Sequence, residues 1–184
     1  YMLEIWSGVS TRHRKGLTTW STKMKITSSF SVLFSSIVLI SQAIAAPFPS
    51  GPDPKLTPGK LCSNAAQYRY PEHVPYCERD VDPMLKVQII KNYDEQLGYT
   101  IERMDRQAFK IDHLIPLCVG GANDVANLWP QHMTVYVITD PLEAELCKKM
   151  SAGRLKQVEA VKLVLTAKRH LEQAPSIVRY VQSL

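Results

Sequence analysis

Residues 110–131 read KIDHLIPLCVGGANDVANLWPQ, and the adjacent Gly120 and Gly121 fix what this part of the chain can become. Two consecutive glycines supply the positive backbone angles that a tight reversal needs. Upstream, Phe109 and Ile111 are apolar around the polar Lys110, the alternation of a short strand. That strand delivers Asp112 and His113 side by side and runs through Leu114, Ile115, Pro116 and Leu117 to the turn. The chain returns through Asn123 and Asn127 to a second apolar segment, Leu128-Trp129. A carboxylate beside an imidazole suits metal-assisted hydrolysis. The carboxylate holds a hard cation, and the imidazole, with an unperturbed pKa near ~6.5, takes a proton from water. The dipeptide by itself more often marks an ordinary polar loop.

The longer pattern separates the two. D-H-x-I-P-L at 112–117, G-G-x-N at 120–123 and N-L at 127–128 together resemble the core of the HNH (His-Asn-His, ββα-metal) endonucleases. The flanking RYPEHVPYCERDV, NLWPQH and TDPLEAEL are similar to a secreted bacterial branch of that family. The resemblance implies an α+β fold with a small ββα-metal core, a two-stranded hairpin plus helix, packed by additional helices. It implies an endonuclease acting on DNA, with RNA as a second substrate, and one divalent ion, Mg²⁺ foremost with Mn²⁺, Ni²⁺ or Zn²⁺ as alternatives. His113 takes the place of the general base and Asp112 that of the first metal ligand. Asn127 matches the middle Asn, whose amide bridges the hairpin loop and keeps the imidazole aimed.

The third member of the motif departs. The family's spacing from the middle Asn reaches Tyr136, which is no plausible ligand. Glu143 is the favoured substitute, with His132 and Asp140 behind it. Glu143 serves equally as the N3 partner of a capping box. Asn123 reads as a turn former. Arg103 and Arg106, ahead of the strand, are candidate phosphate contacts. No helix-turn-helix or finger signature is present, so little sequence specificity is expected. The competing reading is an inactive HNH-fold module that binds nucleic acid or protein.

Residues 28–46, SSFSVLFSSIVLISQAIAA, follow Lys23 and Lys25 and end in small residues, the form of a secretory signal peptide cleaved after Ala45. The apolar core is shorter than the ~20 residues a membrane span wants. The expected organisation is therefore an upstream extension at 1–23, a signal peptide at 24–45, a mobile proline-rich linker at 46–61 and the nuclease domain at 62–184. A secreted or periplasmic monomer, off the membrane once the leader is cut, is the outcome. The chain carries 22 Lys+Arg against 17 Asp+Glu. Five of the basic residues and one acid precede residue 46, so the remainder is near neutral. Net charge then gives no support to nucleic-acid binding. Local clusters such as Lys168-Arg169 are either basic patches or solvated helix faces.

The four cysteines, Cys62, Cys77, Cys118 and Cys147, all lie in the exported part. An even count in an oxidising compartment reads as two disulfides. With no C-x-x-C pair, the zinc knuckle of many HNH proteins is missing. The expected pairing is Cys62–Cys77 and Cys118–Cys147, the second stapling strand to helix as zinc does in the relatives.

Residues 62–80 read as a loop with Tyr68, Tyr70 and Tyr76. Asp82-Pro83 opens a helix with Met84, Val87, Ile90, Tyr93 and Leu97 at helical spacing and Gly98 as its stop. Residues 99–108 are ambiguous between strand and short helix. A β-branched run, MTVYVI, precedes Asp140, Pro141 and Glu143, whose order opens a helix to about Met150. A last helix from Leu155 to about Gln173 carries Leu155, Val158, Val161 and Leu165 on one face, and a short tail follows Pro175.

Overall fold

The computed structural model describes residues 46–184; the upstream extension and the signal peptide expected at 1–45 lie outside them. Two antiparallel hairpins and four helices make an α+β fold. The smaller hairpin pairs β1 (Gln67–Arg69) with β2 (Val74–Tyr76), inside the segment expected to be loop. Arg69 lies over the Tyr76 ring at 3.2 Å from its centroid, so that pair packs within the hairpin.

Helix α1 (Pro83–Leu97) starts as its sequence dictates. Asp82 accepts from the backbone N–H groups of Met84 and Leu85, and Gly98 closes the helix at φ 75°. Its buried face is Ile89, Ile90 and Tyr93, whereas Met84 and Val87 are exposed. Two 3₁₀ turns, Ile101–Arg103 and Arg106–Ala108, fill the ambiguous segment.

The central hairpin pairs β3 (Phe109–His113) with β4 (Leu128–His132), with Phe109 opposite His132 and His113 opposite Leu128. Both strands are buried along nearly their whole length, and Trp129 and Leu128 sit at the centre of the core.

Helix α2 (Met133–Ser151) begins directly after β4, a full two turns before the expected start at Asp140. His132 is its N-cap, accepting from Thr134 N–H. Val135, Thr139, Leu142, Leu146 and Met150 are buried at helical spacing. That burial outweighs the few tenths of a kcal/mol per residue, about 0.7 at most, that β-branched residues lose in a helix. Pro141 sits inside the helix and gives up one bond, to the carbonyl of the exposed Val137. Asp140 caps nothing; its carboxylate holds Lys110 Nζ at 2.7 and 2.8 Å.

Helices α3 (Gln157–Arg169) and α4 (Ala174–Ser183) close the fold, with Pro175 in the first turn of α4 where the expected tail would be. The buried face of α3 is Ala160, Val164, Ala167 and Lys168, rotated from the expected one; Val158 is 78% exposed. Disulfides join Cys62 to Cys77 and Cys118 to Cys147, the pairing expected.

Residues 46–61 pack as a strap, where a mobile linker was expected. The Thr57 hydroxyl bonds the Tyr93 hydroxyl at 2.8 Å and the Leu128 carbonyl at 3.1 Å. Gly59 N–H donates to Ala126 O, and Arg169 reaches back to Pro58 O at 2.9 Å. Gly51 passes so close to α3 that a Cβ there would meet Lys168 O at 2.8 Å. The prolines preset an extended backbone and remove donors that would otherwise need partners. Among the described residues no helix is long and apolar enough to cross a membrane.

Candidate functional site

The loop between β3 and β4 is shaped by one asparagine and one glycine. Asn127 is fully buried, and its Nδ2 donates to Ile115 O and Ala122 O, both at 3.0 Å. Its Oδ1 accepts from Ile115 N–H at 2.9 Å. Gly121 lies against the same loop, and a Cβ there would stand 1.8 Å from Ile115 O, which no side chain could occupy. The amide therefore does the bridging that two strands of backbone cannot do across a reversal, and it fixes the end of β3 where His113 sits.

His113 is buried, and its Nε2 lies 2.9 Å from Asn123 Oδ1. The Asn123 Nδ2 donates to Glu78 O at 2.5 Å, which orients the amide with its oxygen toward the ring. In neutral His113 the proton is thus on Nε2, where it donates to Asn123, and the lone pair is on Nδ1. Burial holds the imidazole below its ordinary pKa, opposed by the bond to Asn123 and by the Asp112 charge. The ring is neutral near pH 7, the form that accepts a proton. Asn123, read from sequence as a turn former, is the partner of the imidazole. No sequence signal marks that role beyond its place just after the glycines.

A cleft of about 210 Å³ opens beside these groups, lined by Arg79, Asp112, His113, Pro116, Leu117, Cys118 and Glu143. A second hollow of about 540 Å³, lined by Asn64, Gln67, Glu78, Arg79, Asp80 and Asn123 among others, shares Arg79 with it. The Arg79 guanidinium donates to Ile111 O at 3.4 Å and is the cationic side chain on both walls. From sequence it was one arginine among tyrosines; its place beside β3 comes from the fold of residues 77–82.

Asp112 and Glu143 are brought together, from β3 and α2, around a third side chain. Lys168, fully buried near the end of α3, places its Nζ 2.7 Å from Asp112 Oδ2 and 2.5 Å from both His113 O and Glu143 Oε1. The contact with Glu143 lies off the hydrogen-bond direction, so this oxygen is paired by charge without a directed bond. Lys168 accordingly belongs to neither a basic patch nor a solvated face, whereas Arg169 is exposed. Burial pushes the Asp112 carboxyl up, but Lys168 and Lys110 pull it further down, and it is held below the ordinary carboxylate range. In Glu143 burial wins, with Asp112 adding to it, and the carboxyl is held above its ordinary range. Lys168 is held above the usual lysine range: burial lowers it, and the two carboxylates outweigh that.

The remaining expected site residues lie elsewhere. His132, opposite Phe109, is separated from His113 by the length of the strand, about 13 Å. Its ring stacks on Phe48 of the strap at 3.9 Å between centroids. Arg106 donates to Phe109 O at that same far end, and Arg103 faces a hollow shared with Asp94 and Glu102. Neither arginine reaches the His113 cleft.

The residues as arranged do not fit the expected divalent ion. Mg²⁺ needs oxygens at about 2.0–2.1 Å in octahedral array. Here the two carboxylates converge on an ammonium. Among the described residues, no three of His, Cys, Asp and Glu are placed to hold a metal. Comparison with protein-family models, with curated proteins and with solved structures finds no match.

Proposed function

We propose that this protein is a hydrolase of phosphodiester bonds in nucleic acid, an HNH-type endonuclease exported to an oxidising compartment. One observation carries the reading. A buried, neutral imidazole has one nitrogen fastened by Asn123 and stands at the wall of an open cleft that a guanidinium also lines. The β3–β4 hairpin followed by α2, with Asn127 bridging its loop, supports the finer assignment to a ββα nuclease core.

In this reading the Nδ1 of His113 takes a proton from water as the water oxygen bonds to phosphorus. The bond from phosphorus to the leaving ester oxygen breaks, and that oxygen takes a proton from solvent. The imidazolium that forms is stabilised by Asp112 until it returns its proton to solvent. Arg79 holds the phosphate oxygens, a forked donor suited to them. Asn123 and Asn127 position the base. Contacts of this kind lie on the phosphate, so cleavage has little sequence preference. DNA is the first substrate and RNA the second. Two disulfides fit secretion or the periplasm.

The test is cleavage of supercoiled plasmid, single-stranded DNA and RNA, in Mg²⁺, Mn²⁺, Ni²⁺ or Zn²⁺ and in chelator, by the protein and by His113→Ala and Arg79→Ala. Cleavage lost in His113→Ala and weakened in Arg79→Ala supports the reading. No cleavage of any substrate under any condition refutes it. The saturated bonding around Lys168 would then favour a binding module that keeps the fold without the chemistry.

A further inference from the structure

Lys168 has no place in the hydrolytic chemistry just described, yet its burial is among the costliest features of the site. Removing an ammonium from water is costly unless its partners replace the lost hydration. Here the partners are in place. Two N–H groups donate to Asp112 and the His113 carbonyl, Glu143 faces the ammonium by charge alone, and the side chain has no exposed surface. No substrate or leaving group can reach a proton of Lys168. The stem comes from α3 past a face of Ala160, Val164 and Ala167, small enough for α3 to approach the hairpin closely. Three elements, β3, α2 and α3, therefore meet on one positive charge.

A divalent ion between β3 and α2 would need the same oxygens. It would sit against the ammonium, whose repulsion in so dry a place is large. The ammonium contacts Glu143 by charge rather than along a hydrogen-bond axis, the way an ion does. We propose that the Lys168 ammonium is the resident cation of the Asp112–Glu143 pair, standing where a divalent ion would bind. The protein then has no tight divalent-metal site, and one appears when the lysine is removed.

The inference concerns occupancy and is read by metal binding, separately from cleavage. Mn²⁺ is titrated into the protein and into Lys168→Met, followed by electron paramagnetic resonance and by the melting temperature. The protein itself should show no saturable submillimolar site and no rise in melting temperature. Lys168→Met should gain one Mn²⁺ per chain, at least about tenfold tighter than anything in the parent. It should melt higher with Mn²⁺ than without, and Asp112→Asn in the same background should abolish both effects. Stoichiometric Mn²⁺ binding by the parent protein, lost in Asp112→Asn and in Glu143→Gln, would overturn the proposal. So would a folded Lys168→Met that binds no Mn²⁺. If Lys168→Met folds only with Mn²⁺ present, the gained site is shown directly. If it folds in neither condition, the parent titration decides alone. Absence of nuclease activity would end the phosphodiesterase reading and leave these titrations standing.

Discussion

Replacing Asn127 tests what holds the loop behind His113. Asn127→Ala removes four hydrogen bonds, the longest from Lys60 N–H at 3.5 Å, and leaves Ile115 N–H, Ile115 O and Ala122 O without partners in a fully buried place. A buried group left unsatisfied costs about 1–3 kcal/mol, so three give a loss of about 3–5 kcal/mol once some relaxation is allowed. That is a large share of the roughly 5–15 kcal/mol a domain has. Asn127→Asp separates hydrogen bonding from shape. The carboxylate fits the same space and keeps an oxygen for Ile115 N–H. It brings no donors, and it turns a second acceptor toward two carbonyl oxygens. It should therefore destabilise at least as much as Asn127→Ala, although it is the more conservative change in volume. Urea unfolding at neutral pH, with slopes compared to ensure one denatured state, gives both values. An Asn127→Asp protein within about 1 kcal/mol of the parent would refute the reasoning, because the two donor bonds would then carry almost nothing.

Asn123→Asp should raise the pKa of His113 by about 1–2 units, since a carboxylate beside Nε2 favours imidazolium; the acid limb of activity moves to higher pH, while Asn123→Ala moves it lower. Shifts in the same direction for both would contradict the assignment. For the parent protein, stability should fall as pH drops below 6.5, because the unfolded imidazole takes a proton that the folded one refuses. Asp112, depressed in the folded state, adds stability that is present above its unfolded value of 3.8 and lost as pH falls through the folded one; thermal melts across pH separate the two windows. Gly121→Ala should cost about 3 kcal/mol or more, against about 1 for Gly98→Ala, which meets nothing within 4 Å at its left-handed position. Equal losses in denaturation would remove the close approach to Ile115 O as the cause. Reducing Cys62–Cys77 and Cys118–Cys147, which close 15- and 29-residue separations, should cost about 3 and about 3.6 kcal/mol in the chain-entropy limit. The second should also alter cleft binding, since Cys118 lines its wall.

Local chemistry was legible where a residue acts on its own neighbours. Asp82, Pro83 and Gly98 bound α1 in the sequence as in the structure; of the two adjacent glycines only Gly120 takes the expected positive φ, 93°, while Gly121 is required by its close approach to Ile115 O. Competition between local and tertiary signals was not. Asp140, Pro141 and Glu143 spell a helix start, yet the buried stripe from Val135 onward carries α2 straight through them. In α3 the large residues Val158, Val161 and Leu165 suggested the inner face, whereas close packing selected Ala160 and Ala167. That rotation turns Lys168 inward, so the side chain that completes the carboxylate pair was hidden by the same misreading. Arg79 and Asn123 meet His113 only after the loops at 77–82 and 120–127 have closed on each other, information that no short window holds.

The strap also sets an order on folding. Its side-chain bonds reach from Thr57 to Tyr93 and Leu128, and from Pro58 to Arg169, across sequence separations of 36, 71 and 111 residues. Contacts so distant carry the greatest loop-closure cost and form after local ones. The strap cannot dock until β4 is paired and α3 has been laid down, so nearly the whole chain must be synthesised before its first described residues find their places. Opening should run in reverse. The 46–61 segment is then where hydrogen exchange is fastest among the packed backbone, and where a protease would find its first foothold on an otherwise intact protein.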